Sequence, residues 1–135
     1  MQPGLGYGRA TYAKVDVLLN NNLIQVAIAS GCPRFVYISV FRAPDFPNLF
    51  YMRAHEDVAA LLKQSGLRHA VVRPTGFFSA YSSFIEMAKK GPLPEMNGGA
   101  AKTNPVHGGD LAQVCADAID GKTGHIDAGG APTKS

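Results

Sequence analysis

Few residues in this chain pair a reactive side chain with a place where a fold could use it. Ser39 falls near the end of an apolar run, Arg34-Phe-Val-Tyr-Ile-Ser-Val40. Arg73-Pro-Thr-Gly76 closes a second run that starts at His69. Hydroxyl groups, a guanidinium and a glycine at strand ends can bind and orient a small ligand, because ligands of open α/β sheets lie at the carboxyl ends of the strands. Pro74 fixes the exit of the chain, and Gly76 lets backbone approach a ligand closely. His107 is a weaker candidate. It precedes Gly108-Gly109-Asp110, and a catalytic imidazole needs a nucleophile and an orienting acid that only the fold can bring to it. Cys32 and Cys115 stand far apart without metal-ligand spacing and read as reduced, partly buried thiols, so no metal site is expected. Gly4, Gly6 and Gly8 are closely spaced, but no strand can precede them as a dinucleotide loop requires.

The elements that must position Ser39 and Arg73–Gly76 follow from periodicity. The two apolar runs read as strands, and the stretch from about Leu49 to Gln64 between them reads as a helix burying Val58, Leu61 and Leu62. Strand, crossover helix and strand make a βαβ unit with parallel, adjacent strands. Nearly continuous apolar character in Phe35–Val40 fits burial on both faces. Before it, Val15, Leu18, Leu19, Leu23, Val26 and Ala27 recur at helical spacing over about Lys14 to Ser30, and are expected to form the buried stripe. Gly31 supplies the stop. Asn20-Asn21-Asn22 is poor helix material within that stretch. Phe41 to Asn48 reads as a loop and Ser65-Gly66 as a helix end. Phe77 to Lys90 reads as a helix whose phenylalanines, at 77, 78 and 84, are expected in the core. Asn97-Gly98-Gly99 signals a turn. Asn104–His107 reads as extended, Asp110 as the N-cap of a helix to Ala118, and Gly124–Ala128 as a last strand.

The whole is an α/β fold with a mainly parallel sheet and flanking helices. Its 135 residues, 46% hydrophobic and 17% charged, suffice for one folded domain over residues 14–130, with an irregular lead-in at 1–13 and a tail at 131–135. The formal charge of +3 is spread over scattered Lys and Arg, which argues against a nucleic-acid partner. No apolar run reaches the roughly 20 residues of a membrane span. The first residues lack the pattern of a signal peptide, so no membrane partner and a cytoplasmic location are expected.

Several stretches taken together carry a family resemblance. They are Val15-Asp16 with Asn20 and Leu23, Gly31-Cys-Pro-Arg-Phe-Val-Tyr-Ile-Ser39, Tyr51-Met-Arg-Ala-His55, Glu56-Asp-Val-Ala-Ala-Leu-Leu-Lys-Gln-Ser-Gly-Leu67, Val71-Val-Arg-Pro-Thr-Gly76, and Asn104-Pro-Val-His107 with Asp110-Leu-Ala112. In order and spacing, over about residues 10 to 130, they resemble the C-terminal half of an atypical short-chain dehydrogenase/reductase of the NmrA-like, NAD(P)-binding group. The resemblance implies a truncated Rossmann-like fold lacking the N-terminal glycine-rich βαβ half. It implies NADP or NAD as cofactor, bound weakly or not at all by this chain, and a small-molecule substrate.

In that family a Ser or Thr, a Tyr acting as general acid or base, and a Lys four residues after the Tyr form the reductive site. Ser39 and Tyr51 match the first two, and His55 stands at the Lys position. A neutral imidazole does not supply the fixed cation of an ammonium group. Arg73, Pro74, Thr75 and Gly76, with Phe77, match the cofactor-binding segment at the nicotinamide end. Members of the NmrA-like group without a full triad act as cofactor sensors. Read without the resemblance, Ser39 simply ends a strand, and Tyr51 and His55 are exposed helix residues. An unpaired edge at Phe35–Val40 is expected to draw the chain into a homo-oligomer, which is the alternative, non-catalytic scaffold reading.

Overall fold

The computed structural model describes residues 13–91, 103–121 and 124–130. The glycines at 4, 6 and 8, the Asn97-Gly98-Gly99 turn and the tail at 131–135 lie outside the described residues. A π-helical turn, Ala13–Leu18, runs into helix α1 (Leu19–Ala29). The amide of Asn20 donates to the Asp16 carbonyl at 2.5 Å, the back-bonding that short polar side chains offer inside helices. Gly31, at φ +66°, turns the chain out of α1. Strand β1 (Phe35–Ile38), helix α2 (Phe50–Gln64), strand β2 (His69–Pro74), helix α3 (Phe78–Lys90), helix α4 (Gly108–Asp120) and strand β3 (Gly124–Ala128) follow. The loop after β1 holds a 3-10 turn, Ala43–Asp45.

The described strands form a parallel sheet in the order β1-β2-β3. Tyr37 lies opposite Val71, and Val71 opposite His125. Ile38 lies opposite Val72, and Arg73 opposite Asp127. Side chains alternate across β2. Val71 joins Ile24, Tyr37, Val58, Ala59 and Leu62 in a core against α1 and α2. Ala70 and Val72 join Val106, Leu111, Ala118 and Ala128 in a second core against α4. β2 is therefore buried on both faces, as its apolar sequence requires. Burying a Leu or Val fully contributes roughly 1.5–3 kcal/mol relative to exposure. Leu62, Val58, Val71 and Val72 consequently anchor the βαβ unit.

Three expectations need correction. In α1 the buried residues are Ile24 and Ala27, while Leu19, Leu23 and Val26 are exposed, as are Val15 and Leu18 in the π-helical turn before it. The segment is apolar around most of its circumference, and the sheet covers one side only. Phe77, Phe78 and Phe84 are exposed rather than core, and α3 has no buried residue. Helix α4 starts at Gly108, and its N-cap is His107 in place of Asp110. The Gly109 N–H donates to His107 Nδ1 at 3.1 Å. A ring nitrogen acts there as the acceptor that a Ser or Asp oxygen usually supplies.

Candidate functional site at the carboxyl ends of β1 and β2

Backbone pairing sets the site before any side chain does. The Ser39 N–H donates to the Val72 carbonyl at 2.7 Å, and the Phe41 N–H to the Pro74 carbonyl at 3.0 Å, so β1 and β2 stay in register past the end of β1. The Thr75 N–H donates to the Ala128 carbonyl at 2.9 Å. The Gly76 carbonyl accepts from the Val106 N–H at 2.9 Å. The exit of β2 is thus tied to β1, to β3 and to the strand-like segment before α4.

A pocket of about 700 Å³ opens there. Ser39, Tyr51 and His55 line it, together with Pro74, Thr75, Gly76 and Phe77 from the exit of β2. Arg73 does not line it. Its guanidinium reaches Glu56 through three donor contacts, Nε to Oε1 at 3.2 Å and Nη2 to Oε1 and Oε2 at 2.9 and 2.7 Å. Its Nη1 also donates to Nδ1 of His125. Alternation explains the split: Arg73 points to the α2 side of β2, with Val71, and its neighbours follow the chain out of the sheet.

Helix α2 places Tyr51 and His55 one turn apart on the side that reaches β1. Their rings meet edge to face at 4.7 Å. His55 is half-buried rather than an exposed helix residue, and its Nδ1 lies 2.7 Å from the Tyr37 hydroxyl. Burial pushes the Tyr37 phenol well above its ordinary range, and the charges of Asp16, Tyr51 and Glu56 push the same way. Burial lowers the pKa of His55, against the opposing pull of Asp16 and Glu56. Both groups are accordingly neutral near pH 7.

Two hydroxyls of the site are already engaged. Ser39, 3% exposed, donates to Glu56 Oε1 at 3.2 Å. Thr75 Oγ1 donates to the Asn104 carbonyl at 2.5 Å. Tyr37, Asn104 and Gly129 were not among the site residues expected from the sequence. Asn104 and Gly129 line the pocket, and Asn104 Nδ2 donates to the Gly130 carbonyl at 3.1 Å. The sequence signal for Tyr37 is alternation: it lies two residues before Ser39 in the extended run that holds β1. Among the described residues no cluster of His, Cys, Asp and Glu could hold a metal ion, and no helix is long and apolar enough to cross a membrane.

No protein-family model matches the chain. A curated relative, the chloroplastic divinyl chlorophyllide a 8-vinyl-reductase of Cucumis sativus, is 28% identical over 113 residues. The match covers 78% of this chain and 27% of that protein. Solved structures that share the fold include two from Bordetella bronchiseptica. The Bordetella bronchiseptica enzyme WbmH, in complex with NAD+, superposes with a TM-score of 0.76 at 15% identity over 95% of this chain and 50% of its own. WbmG of the same organism, in complex with NAD, gives 0.74 at 11% identity over 95% and 47%. The chain therefore spans about a quarter of the curated relative and about half of each solved structure. Its fold is the Rossmann-like α/β fold of these NAD-bound structures.

Proposed function

We propose that the chain supplies the nicotinamide side of an NAD(P)-binding oxidoreductase or cofactor-sensing protein of the atypical, NmrA-like short-chain dehydrogenase/reductase group. The pocket at the carboxyl ends of β1 and β2 carries this reading, because it gathers Ser39, Tyr51 and His55 with Thr75, Gly76 and Phe77. Its volume of about 700 Å³ falls within the roughly 300–1,000 Å³ of small-molecule sites. The residues present suit a nicotinamide and its ribose: an apolar wall of Pro74 and Phe77, and polar groups at Tyr51 and Asn104. Bound there, NAD(P) would donate or accept a hydride.

The chain's own groups supply orientation and proton handling. The Tyr51 hydroxyl is the candidate proton donor or acceptor. Ser39 and Thr75 shape the wall while their hydroxyls hold Glu56 and Asn104. His55, at the position of the family's Lys, supplies a neutral ring in place of a cation. Among the described residues no glycine-rich turn joins a strand to a helix N-terminus, the element that anchors a pyrophosphate. Weak dinucleotide binding is the expected outcome for this chain.

Titration with NADH and NADPH, followed by nicotinamide fluorescence and thermal shift, tests the reading. Saturable binding with Kd at or below about 1 mM, or roughly −4 kcal/mol, supports it. Loss of turnover in Tyr51→Phe, with binding retained, would then assign the proton step. A cooperative melt unmoved by either cofactor would sink dinucleotide binding by this chain.

A second reading rests on the sheet edge. Among the described residues nothing pairs with the outer side of β1, and Ile38 on that strand is 45% exposed. Unpaired edges recruit other strands. In this reading the chain is a non-catalytic module that forms a homo-oligomer through β1. Light scattering that finds only monomer at micromolar concentration would overturn it.

A further inference from the structure

Tyr37 is 8% exposed, and its hydroxyl lies 2.7 Å from Nδ1 of His55. Among the described residues, that nitrogen is the partner this hydroxyl has in the hydrogen bonds observed. Two proton arrangements fit the distance. If Nδ1 carried the ring proton and donated to the phenol oxygen, the phenol hydrogen would be left without an acceptor in a buried setting, which is costly. If the phenol donates to a bare Nδ1, both groups are satisfied and the ring proton goes to Nε2.

We propose that Tyr37 is a positioning residue for His55: its phenol donates to Nδ1, fixes the ring proton on Nε2, and so holds His55 at the pocket wall as a neutral hydrogen-bond donor. The proposal deepens the oxidoreductase reading of the same pocket and rests on it only for the use to which the donor is put. Such a donor suits a carbonyl or hydroxyl oxygen. It brings no charge for a phosphate or carboxylate, unlike the ammonium that the resemblance implies at this position.

The surroundings of His55 agree with a neutral ring. Tyr37 faces it from β1, Asp16 acts on it from the π-helical turn, and Tyr51 and Glu56 flank it on α2. The two carboxylates favour the charged imidazole, but burial outweighs them. Glu56 is itself committed to Arg73, which takes up its charge. The ring is also packed: its centroid is 5.9 Å from that of Tyr37 and 4.7 Å from that of Tyr51. Packing and the phenol together fix orientation as well as tautomer, as a second group does for many functional histidines.

The test is long-range proton–nitrogen NMR of the full chain labelled with 15N-histidine. His55→Gln identifies the His55 signals among the four histidines. The expected result near neutral pH is a pyridine-type Nδ1 and a pyrrole-type Nε2 for His55. Tyr37→Phe keeps the buried ring and removes only the donor, and should shift His55 to a mixture of both tautomers. A protonated Nδ1 in the wild-type chain, a doubly protonated ring, or an unchanged tautomer in Tyr37→Phe would overturn the proposal. Should Tyr37→Phe fail to fold, the wild-type nitrogen shifts alone decide between the two arrangements. These signals are read without cofactor, so a failure to bind NADH leaves them intact and separates the two proposals.

Discussion

Arg73 Nη2 lies 2.7 Å from Glu56 Oε2, and this ion pair fastens the carboxyl end of β2 to α2 one residue beyond His55. The arginine side chain is 7% exposed and the glutamate side chain 26%. Glu56 also accepts from Ser39, the residue just after β1, and Arg73 also donates to His125 on β3. A single carboxylate and a single guanidinium thereby connect α2 with each of the three described strands, directly under the end of the sheet where the pocket opens.

Glu56→Gln should therefore destabilise the fold well beyond an ordinary surface change. Breaking a buried pair costs roughly 3–5 kcal/mol, and the partial exposure of Glu56 brings the expected loss to about 2–3 kcal/mol. Urea unfolding would read this as a lower midpoint at unchanged slope. A loss of under about 0.5 kcal/mol, the usual size of a surface substitution, would show that the pair is solvated in solution.

Acid should weaken the fold through His55 and His125. Burial lowers the pKa of both. At His125 the Arg73 charge adds to the lowering, His69 and Lys63 contribute in the same sense, and Glu56 opposes. A lowered folded pKa means that the folded chain binds fewer protons than the unfolded one as the pH falls through the ordinary imidazole value of about 6.5. The stability due to each neutral ring is thus complete above that value and is lost progressively below it. Tm should fall between about pH 7.5 and pH 5, and His125→Gln or His55→Gln should flatten that fall. Equal slopes in wild type and both variants would argue against this assignment.

Paired substitutions can test which face of each helix is buried. Leu62→Ala, at a fully buried position on α2, should cost about 2–5 kcal/mol. Leu23 on α1 is 57% exposed, and Leu23→Ala should stay within about 0.5 kcal/mol. A large loss at Leu23 in denaturant unfolding would mean that another surface covers α1 in solution.

Thr75→Val separates a structural hydroxyl from a ligand-binding one. Thr75 Oγ1 donates to the Asn104 carbonyl, which joins the β2 exit to the segment leading into α4. Its loss should cost about 1–2 kcal/mol of stability. If instead the melt were unchanged while NADH-induced stabilisation vanished, the hydroxyl would belong to the ligand.

The strands and helices were legible in the sequence because their signals are local. Phe35–Ile38 and His69–Pro74 are apolar runs of strand length, and Val58 and Leu62 recur one helical turn apart between them. The parallel pairing of β1 with β2 followed from the helix that separates them. Strand ends also marked the edge where the pocket lies, through Ser39 and the Pro74–Gly76 exit.

Tertiary structure decided everything that depends on which surface meets which. Apolar periodicity showed that α1 and α3 have greasy faces, but it carries no information on how much of each face the described strands can cover. Leu19, Leu23, Phe78 and Phe84 are accordingly exposed. The Tyr37–His55 bond joins residues 18 apart, and Arg73 reaches His125 across 52. Such pairs arise only when parallel strands and a crossover helix stack, because pairing register and side-chain alternation select one facing residue from many. The sequence by itself determined the elements and the edge at which chemistry could occur; the packing of α2 on β1 and β2 decided that His55 is held by a phenol and that Arg73 is held by Glu56.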